Sequence, residues 1–381
     1  MRRTILALAA IGAMGFSLSS YAQSTVTLYG VIDEGFNFTT NAGGHRGYQM
    51  VSGDTAGSRW GMKGSEDLGA GLKAIFQLES GFNTNTGTMG QGSRLFGRQA
   101  YVGFSSDQYG TLTFGRQYDP TIDMWSGFTS PGNWAGDLGA HPYDNDNSDW
   151  DFRIQNGAKY VSPTIAGFTG EALYGFSNEA GGFAQNRVYS AALQYQMGAL
   201  SAAVAYLKAS APGLNSSGAI TASEAVFVAS SQQNIDAGVS YKFNERFTAS
   251  VAYSHVDVYD PTSNGYFVNQ PAAGQNSWKF DNVDVNGQYF FQPDLWLGAG
   301  YIYTHVHIST TAGSASANWH QLALMLDYDL SKRTSVYVQG AYQHATGSTG
   351  TDFDVANIVG SAAPSSGRNQ MVYRVAMLHH F

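Results

Sequence analysis

The chain has 381 residues, 46 of them glycine and none cysteine, with 20 basic residues against 28 acidic ones. Without cysteine there is no disulfide scaffold, no thiolate metal site and no cysteine nucleophile. The acidic balance argues against nucleic acid as a partner, since nucleic acid rewards basic patches.

The chain opens Met1-Arg2-Arg3, continues as an apolar run from Ile5 to Phe16, and reaches Ser20-Tyr21-Ala22 before Gln23. A charged start, a short apolar core and small residues at the cut predict a secretory signal peptide over 1–22. The run is too short for a membrane helix, which needs about 20 apolar residues, and no later run approaches that length. The remaining 359 residues, 23–381, carry a formal charge of −10 and read as one domain. Tyrosine 23 and phenylalanine 22 against 9 prolines favour many strands joined by tight turns.

In chain order, a strand over 25–38 is followed by loop 39–57. Strands 58–67 and 72–83 flank the turn at 68–71, and loop 84–93 follows. Strands 94–105 and 110–116 flank a turn at 106–109. Residues 117–151 then match no strand or helix template. Pro120, Pro131 and Pro142 interrupt them, and seven aspartates meet no Lys or Arg within the stretch. A loop this long between clear strands reads as functional. Strands 152–162 and 168–177 resume the pattern, with loop 178–186 after them. Hairpins at 187–196/199–208, 233–242/247–258, 278–290/295–307 and 318–330/334–343 follow, separated by loops 209–232, 259–277 and 308–317. Loop 344–368 leads to the last strand, 369–381.

Those segments alternate with period two. In 319–330, Leu322, Leu324, Leu326, Tyr328 and Leu330 share one face, opposite Gln321, Ala323, Met325, Asp327 and Asp329. Tyr195, Tyr241 and Tyr328 lie on the apolar face beside short turns, and Tyr206, Tyr253 and Tyr342 toward the long loops. Two tyrosine bands flanking aliphatics describe the girdles of a barrel in a membrane. Sixteen strands, with short turns on one side and long loops on the other, predict an all-β fold: a sixteen-stranded antiparallel transmembrane β-barrel. An open edge in lipid would leave N–H and C=O groups unpaired, so the first and last strands must pair.

Several segments resemble the general, non-specific porins of Gram-negative bacteria, of the β-proteobacterial type. They are Ser24 to Asp33 (STVTLYGVID), Ser58 to Lys73 (SRWGMKGSEDLGAGLK), Phe96 to Gln99, Gly110 to Gln117, and the terminal Phe381. The resemblance implies an outer-membrane channel for passive diffusion of small hydrophilic solutes and ions, with no cofactor and no metal. It implies a homotrimer in contact with outer-membrane lipid and lipopolysaccharide. It also implies that the third loop, 117–151, folds inward against a basic wall formed by Arg59, Arg98 and Arg153. Arg116 either lines the pore or pairs with a neighbouring subunit. Asp119, Asp123 and Asp137 are the loop acids expected to face the lumen, and their excess predicts mild cation selectivity. Phe381 is expected to close the barrel beside the first strand, its ring outward.

Other motifs carry less. Asp144-Asn-Asp-Asn-Ser-Asp149 begins like a calcium loop, but Asp149 stands where the sharp turn needs glycine and Gln155 where a bidentate Glu belongs, so it reads as solvated loop. His305 and His307 share a strand face without a third ligand in view. No G-x-S-x-G nucleophile elbow occurs. The alternative to a channel is a barrel enzyme or adhesin acting through its loops.

Overall fold

Strands that alternate in lipid must find every backbone partner in a neighbouring strand. In the computed structural model, which describes residues 24–381, a closed ring of sixteen antiparallel strands meets that demand. The expected signal peptide lies outside the described residues.

The strands are β1 (Thr25–Ala42), β2 in two pieces (His45–Ser52 and Arg59–Gly69), β3 (Leu72–Gly81), β4 (Gln99–Ser106), β5 (Gly110–Gln117) and β6 (Ile154–Val161). There follow β7 (Phe168–Gly175), β8 (Val188–Met197), β9 (Leu200–Ser210), β10 (Ser231–Asn244) and β11 (Phe247–Tyr259). The ring ends with β12 (Gln275–Gln292), β13 (Leu295–Thr310), β14 (Gly313–Ser331), β15 (Thr334–Gly347) and β16 (Asn369–His380). Each strand pairs with the next. β1 pairs with both pieces of β2 along one edge and with β16 along the other, in the register Val31 opposite His380 and Thr39 opposite Val372.

The alternation sorts side chains as expected. Leu322, Leu324, Leu326, Tyr328 and Leu330 are exposed on the outer face, while Gln321, Ala323, Met325 and Asp327 are buried inward. Tyr241 and Tyr328 near the short turns, and Tyr253 toward the long loops, are exposed outside. Exposure of so much apolar surface suits a lipid face.

Two expected loops are strands instead. β1 continues to Ala42 and turns tightly at Gly43-Gly44 into the first piece of β2, where a loop over 39–57 was expected. β13 and β14 likewise meet at a tight turn near Thr311 rather than across a loop at 308–317. Both hairpins project past the aliphatic band. Around each turn the residues are polar or small, Thr40-Asn41 in one and Ser309-Thr310 in the other, so the alternation fades there although Tyr48 and Met50 still face outward.

The interruption of β2, residues 53–58, is a detour pinned by Asp33 on β1. Its carboxylate Oδ2 accepts from the N–H groups of Asp54 and Ala56, each at 3.1 Å, and from the Thr55 hydroxyl at 3.0 Å.

The long third loop, 118–153, lies inside the barrel. It is a chain of short helical turns (Thr121–Trp125, Ser126–Phe128, Pro131–Ala135, Gly136–Gly139 and Pro142–Asp144) rather than irregular coil. The wall satisfies its backbone. Asn286 donates to the Phe128 carbonyl at 3.0 Å, Gln339 to that of Ala135 at 2.5 Å, and Gln321 to that of Leu138 at 3.0 Å. Ser130 donates through both N–H and hydroxyl to Asp284, at 2.6 and 2.9 Å. Tyr143 fixes the far end, its ring 5.4–5.7 Å from those of Phe267, Phe353 and Trp319. The stretch 144–148 is fully buried, not the solvated loop the sequence suggested.

Candidate functional site

The basic wall is organised by an acid. Glu79, on the inner face of β3, accepts from Arg98 Nε at 3.0 Å and from the Tyr29 hydroxyl at 2.8 Å, and lies 3.8 Å from Arg59 Nε. Arg98 precedes β4, and its own N–H bonds the Glu79 carbonyl at 3.1 Å. Arg153, just before β6, donates to the Asp151 carbonyl at 2.9 Å. The Tyr118 ring sits 5.9 Å from the Arg98 guanidinium and 5.4 Å from that of Arg153, a cation–π bridge between two like charges. The structure thus brings Arg59, Arg98 and Arg153 to one side of the lumen. The alternation of β3 could have disclosed Glu79, because Phe76 and Leu78 occupy the opposite face.

Arg98 and Arg153 open onto a cavity of about 640 Å³ between wall and loop. Facing them are carboxyls: Asp137, Asp149 and Asp151 from the loop, Asp54 from the detour, and Glu224 from the connection between β9 and β10. Loop and detour touch directly. Gly136 adopts φ +53° with its Cα against the Asp54 carbonyl, where a Cβ would fall 1.9 Å from that oxygen.

The expected loop acids divide. Asp137 is half-buried and lines the cavity. Asp119 does not: it is fully buried between loop and wall, accepting from the Thr121 N–H at 2.9 Å. Asp123 is exposed but ion-paired to Lys159 of β6, which also reaches Glu171 at 3.2 Å and the Tyr118 carbonyl at 3.1 Å. Asp119 was misjudged because its carboxylate is turned inward to the loop itself, accepting from the Thr121 N–H and, at 3.4 Å, from Asn147, contacts that a period-two reading does not reveal. Arg116 neither lines the cavity nor needs a neighbouring subunit; it pairs with Glu224 of its own chain and donates to the Gly97 carbonyl at 2.7 Å. Phe381 pairs with β1 through two backbone bonds to Gly30, at 3.0 and 3.1 Å. Its exposed ring covers Gly30, where a Cβ would stand 2.2 Å from it.

Burial raises the cavity carboxyls above their ordinary range: Asp137 to about 6, and Asp54, Asp149 and Asp151 likewise upward. Mutual repulsion adds to this, Asp137 acting on Asp54 and on Asp149. His141, at 0 % exposure, behaves oppositely. Burial opposes its charge, but Asp146 at 2.6 Å and Asp284 at 3.4 Å outweigh it and hold the imidazole up to about 10. Burial likewise works against the Asp146 carboxylate, and His141 overrides it, keeping that group below its usual range.

Arg374 on β16 was not singled out by the sequence, yet it is fully buried in the wall. It donates to Asp33 at 2.8 Å, to the Tyr337 hydroxyl at 2.8 Å and to Asn37 at 2.9 Å, and lies 3.7 Å from Asp54. His305 and His307 point outward, away from the lumen. Among the described residues, no cluster of three or more His, Cys, Asp or Glu has metal-ligand spacing.

Comparison with known proteins agrees with this architecture. The family model described as Gram-negative porin matches residues 7–348. An outer membrane porin protein of Bordetella pertussis is 32% identical, over 90% of this chain and 94% of that protein. The major outer membrane protein P.IB of Neisseria meningitidis serogroup A is 28% identical, over 84% and 88%. Among solved structures, the anion-selective porin from Comamonas acidovorans superposes with TM-score 0.72 at 21% identity, covering 94% of this chain and 100% of that one. At that identity the likeness carries the fold alone.

Proposed function

The chain belongs to the Gram-negative porin family and is a protein of the bacterial outer membrane, and from that premise we propose that it forms a water-filled channel narrowed by its third loop. The observation that carries this reading is the cavity inside the closed barrel, with arginines on the wall and carboxyls on the loop. Small hydrophilic solutes and ions pass it by diffusion. The wall side is Arg59, Arg98 and Arg153, and the loop side is Asp137 with Asp149 and Asp151. Asp119 and Asp123 serve instead to seat the loop.

The neck is mildly cation-selective. Five carboxyls line the cavity against two guanidiniums. Burial raises Asp137 to about 6 and pushes Asp54, Asp149 and Asp151 upward as well, so the preference is modest and grows with pH. At a neck narrower than the Debye length of about 10 Å at 0.1 M salt, such charges are not screened away.

The working unit is a homotrimer. The outer arc over β1–β5 exposes Phe36, Tyr48, Val102, Phe104 and Phe114, a surface suited to neighbouring copies. The exported form is residues 23–381 after removal of 1–22, and its intact mass tests that boundary. Reconstitution in a planar bilayer tests the whole reading: stepwise ohmic conductance is expected, and a protein that inserts without conducting would sink it.

A further inference from the structure

Three side chains around the neck cavity hold buried polar atoms that no protein group satisfies. Both carboxylate oxygens of Asp54, a residue 3 % exposed, lack a hydrogen-bond partner. So do Nε of Arg153, 5 % exposed, and Oε1 of Gln91 from the connection between β3 and β4. A buried polar atom left unpaired costs about 1–3 kcal/mol. Several of them on one cavity, of both signs, point to a ligand that pairs with them.

The charges around the cavity are unequally matched. Glu224 is taken by Arg116 and Arg94, and Asp151 accepts from the Tyr266 hydroxyl. Asp54 lies 3.7 Å from Arg374, but that guanidinium already serves Asp33 at 2.8 Å. The Asp137 and Asp149 carboxyls lie within hydrogen-bonding reach of each other. Among the described residues, neither is paired with a base. On the basic side, Arg98 spends Nε on Glu79 and Arg153 spends Nη1 on the Asp151 carbonyl, which leaves donors of both unspent. Trp150 and Tyr266 give the lining an aromatic part.

We propose that this cavity is a binding subsite for solutes carrying one carboxylate and more than one cationic nitrogen, the class of the basic amino acids and their short peptides. The carboxylate follows from Arg153 and Arg98, whose guanidiniums form paired, charge-assisted bonds with it. The first cation follows from Asp137 and Asp149. Two carboxyls this close do not both ionise without a positive charge beside them, and a guanidinium or ammonium supplies it. The second cation follows from Asp54 and Gln91, the acceptors that remain once the first is placed. An aliphatic stem lies against Trp150 and Tyr266. A purely anionic solute would leave the acceptors unpaired, and a purely cationic one would leave Arg153 unpaired. The volume of about 640 Å³ falls within the ~300–1,000 Å³ of small-molecule sites. The proposal rests on the channel reading for the route by which solute reaches the neck, and adds to it a preferred class of solute.

The test is equilibrium dialysis of the purified, detergent-solubilised protein against radiolabelled L-arginine, agmatine and L-citrulline. Agmatine lacks the carboxylate, and citrulline carries an uncharged urea in place of the guanidinium. The wild type is expected to bind arginine about tenfold more tightly than either, the scale of one hydrogen bond to a charged group. D149N is expected to lose about tenfold for arginine and nothing for citrulline. R153Q is expected to lose about tenfold for arginine and nothing for agmatine. Should a variant fail to assemble, the three ligands on the wild type alone decide. Agmatine or citrulline binding as tightly as arginine would overturn the proposal, as would the absence of saturable arginine binding. Dialysis does not need conduction, so a protein that conducts in a bilayer without retaining arginine would refute the subsite and leave the channel reading standing.

Discussion

Asp137→Asn combined with Asp149→Asn removes two loop carboxyls from the cavity while leaving Arg98 and Arg153 in place. The Asp137 carboxyl is raised to about 6 by burial, so it is roughly nine-tenths neutral at pH 5 and almost wholly ionised at pH 8. A unit charge ~4 Å from a passing ion is worth about 1 kcal/mol in a water-like medium. That corresponds to about a fivefold change in local ion concentration. In the wild type, the potassium to chloride permeability ratio should therefore rise by about that factor between pH 5 and pH 8. The double variant should rise less over the same range, because it has lost two of the four raised cavity carboxyls, Asp54 and Asp151 remaining. Reversal potential in a KCl gradient reads the ratio directly. Coincident wild-type and variant potentials at pH 8 would refute the argument, since the cavity would then not be where ions are sorted.

Three further outcomes are expected. His141→Ala strands Asp146 and Asp284 in the interior, a loss of about 3–5 kcal/mol for a broken buried pair, read as noisier open-channel current and a lower thermal midpoint. The His141 contribution is complete below pH ~6.5 and lost as pH rises through about 10, so the wild type above that pH should resemble the variant. Asp119, raised to about 6 chiefly by burial, weakens the fold as pH climbs from ~4 through 6, because the folded state holds its proton longer; Asp119→Asn should raise the thermal midpoint at pH 8 and not at pH 4. Gly30→Val would drive a side chain into the Phe381 ring and the Arg59 carbonyl; deletion of Phe381 removes the two backbone bonds at the same seam. Either change should lower the yield of heat-resistant assembled protein several-fold, and normal yields from both would show that the seam does not depend on this pair.

Within the lipid-spanning height, the wall was legible in the sequence because there the two faces of a strand meet opposite solvents. Ile235 and Val239 outside, with Asp236 inside, are enough to fix a strand and its register. Where the residues turn polar or small the signal fades, which is why β1 beyond Phe38 and the β13–β14 hairpin read as loops. The third loop was visible as a composition, with its aspartates and prolines, but not as a geometry. Its turns follow from anchors far along the chain, Asp284 under Ser130 at a separation of 154 residues and Gln339 under Ala135 at 204. No local pattern encodes those. The arginine wall came through a family resemblance, whereas Glu79, which holds Arg59 and Arg98 together, follows from the alternation of its own strand.

Arg374 ties narrowing to sealing. The residue belongs to the last strand, its carboxylate partner Asp33 to the first, and the detour that Asp33 gathers carries Asp54, on whose carbonyl Gly136 of the loop rests. Without the final strand, Asp33 and Asp54 would lie uncompensated and the loop would lack part of its seat. On the channel reading proposed above, the narrowing of the lumen therefore depends on the closure of the wall.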